Sequence, residues 1–394
     1  MTMPATGRNY VIAGAGISGL TLALTLAKFG ATVVVLERHA TMEEAGAGLQ
    51  ISPNARRILD RLGLSDSLAR TALEPAALDT YRHGQSKPFF SMEFGAIMEQ
   101  RFGAPYAVMH RADLADALYK ASRRFANIDI IFGVRNWDVV SHARGVTVVV
   151  DEANGQTRTT RANAFIGADG VHSHTRRRVL EGPDAQFGGR VAWRTLVPAD
   201  SVASQIAMDR ASVFFGRGHH LVCYPLPHRK QVNLALFLPG KAGDNPRTPK
   251  LKGRGALGVI LAAAGDSWTP WPLYTVTTAL WHKGNIGLIG DAAHAMVPFQ
   301  AQGAAMGIED AAVLGPLLAE HAEPEAAFAR YAAVRQNRVA RVAKLSASNG
   351  RIFHMGWPLS LARDAVMRLQ GPRAHLDRLG WVYGYDVAPE EQKQ

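Results

Sequence analysis

One cysteine in 394 residues, Cys223, is too few for an intramolecular disulfide, a cysteine-ligated zinc or an iron–sulfur cluster. That scarcity points to a reducing compartment, with the cytoplasm as the expected location. No apolar run is long and clean enough to span a membrane. The stretch Tyr10 to Phe29 is broken by three glycines near its start and closes around Lys28, which reads as a strand and a helix. Met1 to Asn9 carry no basic leader with an apolar run, so no signal peptide is expected. There is no GxSxG elbow and no His/Cys/Asp/Glu cluster at metal-ligand spacing, which argues against hydrolase and metalloenzyme chemistry. Internal repeats and low-complexity blocks are also missing, and only Pro389 to Gln394 read as a tail.

Acids are in short supply, 33 against 44 Lys and Arg, giving a formal charge of +11. Such a field favours anionic partners. The arginines are scattered rather than clustered with aromatics and no nucleic-acid motif accompanies them, so small anions are expected and nucleic acid is not. At 47 % hydrophobic and 20 % charged the composition is that of an ordinary globular protein. The length implies one large mixed domain or two intimately joined ones.

What is present starts at the N-terminus. YVIAGAG, ISGLTLALTLAKFG and ATVVVLER read as strand, helix and strand, with the continuous apolar first strand of a covered parallel sheet. Helical patterns follow at Asn54 to Leu64 and His110 to Phe125, then a β-rich stretch from Ile128 to Ile166 that forms a meander and returns to the sheet. Between about Gly188 and Trp281 the pattern changes to long alternating strands, RVAWRTLVP, ASVFFGRGHHLVCYPL and QVNLALFLP, which suggest a separate antiparallel sheet. The chain then returns to the first sheet with GNIGLIGDAAH and finishes in helices from Gly303 through about Gln370. The expected class is α/β plus β: a Rossmann-like dinucleotide domain from 1–75, 105–187 and 281–345, an antiparallel substrate domain from 76–104 and 188–280, and a helical segment from 346–394.

GAGISG places Gly14, Gly16 and Gly19 between a strand and a helix. The first permits the tight turn, the second lets a pyrophosphate approach the backbone, and the third lets helix pack on strand. Glu37 ends the next strand 23 positions after Gly14, where an acid accepts hydrogen bonds from a ribose. The fingerprint alone does not separate FAD from NAD. Two further motifs do: the apolar strand leading into Asp169-Gly170 and a basic helix start, and GLIGDAAH through the helix opened at Gly303. Asp291, at a strand's carboxyl end, suits a polyol such as ribitol, and the helix from Gly303 points its positive end at the site.

These residues resemble the class A flavoprotein monooxygenases, typified by para-hydroxybenzoate hydroxylase, and within them the salicylate hydroxylase and 6-hydroxynicotinate 3-monooxygenase branch. The resemblance covers most of the chain and rests on four ordered signatures: GAGISG with Glu37-Arg38, GAGLQISPNA from Gly46 to Ala55, GADG around Asp169, and GDAAH through IEDA around Asp291. It implies FAD as cofactor, NADH or NADPH as transient co-substrate, and O2 consumed to hydroxylate a small aromatic ring through an oxygen adduct at flavin C4a. Ser18, Glu37 and Arg38 then look like adenosine-side contacts, with Val134 as a backbone contact to adenine. Gly48 and Gln50 pass the flavin, and Arg111 resembles the arginine that holds the cofactor's phosphate and ribityl part. Asp169 matches an acid serving both FAD and nicotinamide, while Asp291, Gly303 and Ala304 match ribitol and isoalloxazine contacts, and Pro298 sits at the flavin edge. Plainer readings stand beside these: Gln50 and Val134 as packing residues, Arg111 paired with Asp113 or Asp116, Asp169 as a turn residue.

Attack on a phenolate is easier than on a phenol, so a base beside the ring hydroxyl would help. In GHHLVCYPL, His220 shares a strand face with Val222 and Tyr224, while His219, Leu221 and Cys223 point the other way. His220 is the candidate base, with His219 as the alternative, and Tyr224 a candidate for binding or orienting substrate. His294 is expected to anchor its turn. No second GxGxxG is present, so NAD(P)H is expected to bind transiently over the flavin. A monomer or homodimer acting on a hydroxylated aromatic or N-heteroaromatic carboxylate is expected. Rivals are a ubiquinone-pathway ring hydroxylase at a membrane surface, suggested by Trp357, Trp381 and Tyr383 among arginines, and a non-catalytic flavin sensor.

Overall fold

The structure is a computed structural model that describes residues 3–42, 48–153, 155–241, 243 and 248–387. The first two residues of the signature beginning at Gly46, and the tail from Pro389, lie outside the described residues. The apolar strand Asn9–Ala13 lies inside a six-stranded sheet, with Thr32–Leu36 parallel on one side and Ala164–Gly167 parallel on the other. Ile128–Ile131 and Ile286–Leu288 extend the two flanks in the same direction, and the short strand His282–Lys283 closes one edge antiparallel. This sheet is covered on both faces, which is why its strands read as unbroken apolar runs. Helix Ile17–Lys28 packs against Gly303–Glu320 and Arg111–Ser122. Val146, Val148 and Val150 of the three-stranded meander 134–162 join the same core.

The second sheet has seven strands in the order Thr269–Thr275, Gln186–Pro198, Gln231–Pro239, His219–Leu226, Ala211–Gly216, Ala77–Arg82 and Phe90–Glu93. Its alternation separates two environments. Trp193, Leu221, Cys223, Leu234 and Leu236 form a core with helix Gly255–Ala264, and the residues between them face a large cleft.

Three sequence readings need correction. ASVFFGRGHHLVCYPL is not one strand: Arg217-Gly218 turns it into a hairpin, with Gly216 opposite His219 and Gly218 at φ +75°. Glycine supplies the positive φ that such two-residue turns demand. The basic segment after Asp169-Gly170 is one turn of π-helix, Thr175–Val179, rather than the start of a longer helix. Helicity also runs past Gln370: Leu359–Tyr383 kinks at Gly371, φ +70°, before Pro372 and resumes.

Candidate functional site

The ends of the parallel strands and one face of the seven-stranded sheet enclose a cleft of about 1630 Å³. Gly14, Gly16, Ser18, Glu37, Arg38, Gly48, Gln50, Arg111, Asp169, Asp291, Pro298, Gly303 and Ala304 line it, together with His220 and Tyr224. Gly19 and Val134 do not.

The glycines differ in what they do. Gly14 has φ +108°, and a Cβ there would lie 2.5 Å from the carbonyl oxygen of Ala168. Gly19 packs helix on strand: its Cβ would meet the Gly14 oxygen at 2.0 Å. Nothing lies within 4 Å of a Cβ at Gly16, so its bare backbone opens onto the cleft. Helix Ile17–Lys28 begins there, and no side chain caps it. The helix from Gly303 is likewise uncapped. Unsatisfied N–H groups and the positive ends of two helix dipoles therefore meet in one space, an arrangement that attracts anions.

Glu37 accepts from the Ala15 N–H at 3.0 Å and the His39 N–H at 2.9 Å, which fixes its carboxylate at the strand end. Val134 is buried, and its N–H donates to the Glu37 carbonyl at 2.9 Å, so its tie to the site is through backbone. The Ser18 hydroxyl packs between Gly290 and Gly307. Asp169 has two tasks. It lines the cleft, and its oxygens accept from the hydroxyls of Ser173 and Thr175 and from the Thr175 N–H. Asp113 and Asp116, the plainer partners for Arg111, are engaged by Arg229 with His228 and by Lys120.

A buried ion cluster that sequence reasoning left without a role supports Asp291. Asp310 accepts from the Gly290 N–H at 2.9 Å, from His294 Nε2 at 2.5 Å and from Arg335 Nε at 2.8 Å. His294 thus anchors its turn, as expected. Burial pushes the Asp310 carboxyl up, but His294 and Arg335 outweigh it and hold the group well below the usual range. Glu309 beside it bonds Arg335, Arg338 and Asn54, and Asn54 bonds Gln302, the residue before the Gly303 helix. Glu309, Asp310 and Arg335 are fully buried. Two adjacent acids within the apolar helix GAAMGIEDAAVLG were the available signal. Arg176, also fully buried, donates to the Ala292 carbonyl at 2.8 Å and ties the GADG segment to GDAAH.

On the other wall, His220, Val222 and Tyr224 face the cleft while Leu221 and Cys223 face the core, so the alternation read in the sequence holds. His220 is 1 % exposed, stacks on Phe237 with ring centres 4.4 Å apart, and meets Phe299 and Phe353 edge-on. Burial pushes its imidazole well below the usual value, with the His354, Arg190 and His219 charges adding to that. It is neutral at pH 7. His219 does not line the cleft; it pairs with His83 at 3.0 Å. Tyr224 is buried, and its hydroxyl lies 2.3 Å from where a Gly48 Cβ would stand, so only glycine fits there. Asn233, buried at 1 % exposure, accepts the Gly48 N–H at 2.7 Å, and Tyr106 donates to Gln50.

The sequence reading passed over Arg194. It faces the cleft from strand Gln186–Pro198, its Nε is buried without a hydrogen-bond partner among the described residues, and burial pushes its guanidinium below the usual value. In RVAWRTLVP, Val191, Trp193 and Val197 point to the core, and a charged residue in the opposite phase was the signal.

Residues 9–347 match the family described as FAD binding domain. A 3-amino-4-hydroxybenzoate 2-monooxygenase of Streptomyces platensis is 33 % identical, with 99 % of each chain covered. A 3-hydroxybenzoate 6-hydroxylase of Aquipseudomonas alcaligenes is 30 % identical over 96 % of this chain and 98 % of its own. Among solved structures, Klebsiella pneumoniae HpxO complexed with FAD and uric acid superposes with a TM-score of 0.81 at 22 % identity, covering 95 % of this chain and 96 % of that one.

Proposed function

We propose a substrate and a division of labour from one established premise: the chain belongs to the FAD-binding family of class A flavoprotein monooxygenases, with FAD as cofactor and aromatic-ring hydroxylation as activity. The residues fit that cofactor. Two uncapped helix starts, the bare backbone at Gly16 and acids at two parallel strand ends match a pyrophosphate flanked by polyols. Ser18, Glu37 and Arg38 would hold the adenosine side, Gly14 to Ile17 and Arg111 the phosphates, Asp291 the ribitol, and Gly303 with Ala304 the carbonyl edge of the isoalloxazine. Held there, the flavin would supply the chemistry of hydride acceptance from NAD(P)H and dioxygen activation, while the protein supplies position, dryness and charge.

The substrate in this reading is a small aromatic or N-heteroaromatic ring bearing a carboxylate and a hydroxyl. The observation that carries it is Arg194, on the same sheet face as His220, whose buried Nε has no hydrogen-bond partner among the described residues while its guanidinium lies over Trp271 at the cleft wall. A buried N–H without an acceptor is costly, and a carboxylate that takes the guanidinium N–H groups in a two-pronged contact offsets the cost. Register sets the span. Arg194 lies across Ala235 from Val222, and His220 and Tyr224 flank Val222. Two strand spacings of about 4.8 Å and a two-residue step of about 6.8 Å leave room for one ring between the side chains. Neutral His220 takes the hydroxyl proton, Tyr224 orients the ring, and Phe237, Phe299 and Phe353 exclude water around the base.

The membrane-surface alternative loses two of its three aromatics. Tyr383 is buried and Trp381 stacks with Arg341 at 4.3 Å, leaving Trp357 exposed. Among the described residues, no helix is long and apolar enough to cross a membrane. Buried Cys223 suits the reducing cytoplasm.

Arg194→Gln tests the substrate class. With ring acids, KM should rise about 100-fold, the loss of a charge-assisted pair of roughly 3 kcal/mol. With phenols lacking the carboxylate, KM should barely change. Equal effects on both would contradict the assignment.

A further inference from the structure

We infer that His354 is a positioning residue that relays the proton taken up by His220 from the ring hydroxyl out to solvent. The inference rests on the ring hydroxylation proposed above. Nδ1 of His220 lies 2.7 Å from Nε2 of His354, while Nε2 of His220 has no hydrogen-bond partner among the described residues and its ring lines the cleft. His354 caps the end of helix Pro324–Phe353 and is half-buried, and its Nδ1 has no hydrogen-bond partner among the described residues. Its carbonyl accepts the Gly218 N–H at 3.0 Å, which fixes it against the hairpin turn beside His220. One imidazole is therefore in the cleft and the next is at its outer side.

The shared hydrogen sets the tautomers. A proton on His220 Nδ1, donated to His354 Nε2, leaves His220 Nε2 as the acceptor a base requires. The ring hydroxyl gives its proton to that Nε2. The Nδ1 proton of His220 passes to His354 Nε2, and His354 releases its own Nδ1 proton to water. Both rings start and end neutral with their tautomers exchanged, and the reverse transfer resets them.

The surroundings favour transfer over storage. Besides each other, the charged or titratable groups facing the pair are His219 on the same strand and Arg190 on strand Gln186–Pro198, whose Nη1 bonds the Gly218 carbonyl at 2.9 Å. Arg363 of helix Leu359–Tyr383 is stacked on Phe215, which itself stacks on Phe353, and is paired with Asp364. The cations and the aromatic walls disfavour a lasting imidazolium.

His354→Gln keeps a hydrogen-bonding group but does not carry a proton onward, and His354→Ala leaves space for added imidazole. Each FAD-loaded variant is mixed, in weak buffer with a pH indicator, with 3-hydroxybenzoate, 3-amino-4-hydroxybenzoate and 6-hydroxynicotinate. The relay predicts substrate-triggered proton release and ring hydroxylation slowed at least about tenfold in both variants, with a displaced pH profile. FAD affinity and flavin reduction by NAD(P)H stay at wild-type values, and imidazole restores only His354→Ala. Wild-type proton release and pH profile in both variants would overturn the relay alone. Equal losses without imidazole rescue and with weakened FAD binding would also overturn it, as a structural role. A wild type that hydroxylates none of the three rings would overturn the underlying reading and the relay with it.

Discussion

Along the ends of the parallel strands, the cleft is walled by bare glycine, uncapped helix starts, and the strand-end acids Glu37 and Asp169 held by neighbouring N–H groups. Across the cleft, the seven-stranded sheet, antiparallel except where Ala211–Gly216 pairs with Ala77–Arg82, offers side chains that share a face, namely Arg194, His220 and Tyr224 among aromatics. The first wall suits a ligand common to a whole family. The second suits a ligand that differs between members, because exchanging one side chain on a sheet face leaves the sheet intact. Damage to the two walls should therefore separate cofactor binding from substrate chemistry.

The largest expected effect is on the backbone wall. Gly14→Ala forces an L-residue to φ +108° with its Cβ 2.5 Å from the Ala168 oxygen, so the turn must move. The protein should be isolated without flavin, read from the absence of its visible absorption. Normal flavin content would break the comparison.

The next effect is on what holds that wall up. Arg335→Met leaves the Glu309 and Asp310 carboxylates buried with one fewer cation, a loss of about 3–5 kcal/mol. Denaturant unfolding followed by flavin fluorescence should show it, with KM for aromatic acids little changed in the folded fraction. A variant as stable as the parent would mean that Arg338 and His294 suffice.

The smallest effect is in pH and falls on the other wall. His220 is held well below its usual value by burial, and His354 is held at about 3, again chiefly by burial. The unfolded chain takes up these protons near pH 6.5, so stability falls as pH drops below that and continues to fall toward the folded values. Asp310 has the opposite sign. Its depressed value gives stability that is intact above about pH 3.8 and lost only below it. Between pH 7 and pH 5 the melting temperature should therefore drop, and less so in His354→Gln. A flat profile would show that the imidazoles are solvated.

How much was legible follows the same division. The glycine turn, Glu37, Asp169 and Asp291 belong to contiguous segments in which strand, turn and helix start are a few residues apart, so their geometry is local. Arg194 meets its surroundings only through register with Ala235 and Thr269, pairings made 41 and 75 residues away. Alternation in RVAWRTLVP carried its direction, but not that a cleft lay there. Alternation set His220 on one face with Val222 and Tyr224 but did not say that the face was the cleft, and the end of a helix 134 residues later, where His354 stands, carries no pattern that names a partner. Arg217-Gly218 was missed as a turn because apolar alternation continues on both sides of it.

The central claim is hydroxylation of a ring acid held by Arg194 beside His220, and one measurement meets it directly. The FAD-loaded protein is mixed with NADH or NADPH and a panel of hydroxybenzoates, salicylate and hydroxynicotinates in air, and nicotinamide oxidation is followed with identification of products. The account predicts that at least one ring acid accelerates oxidation and returns with one added oxygen, while phenols without a carboxylate are poor. Peroxide alone across the whole panel, with no ring product, would contradict it.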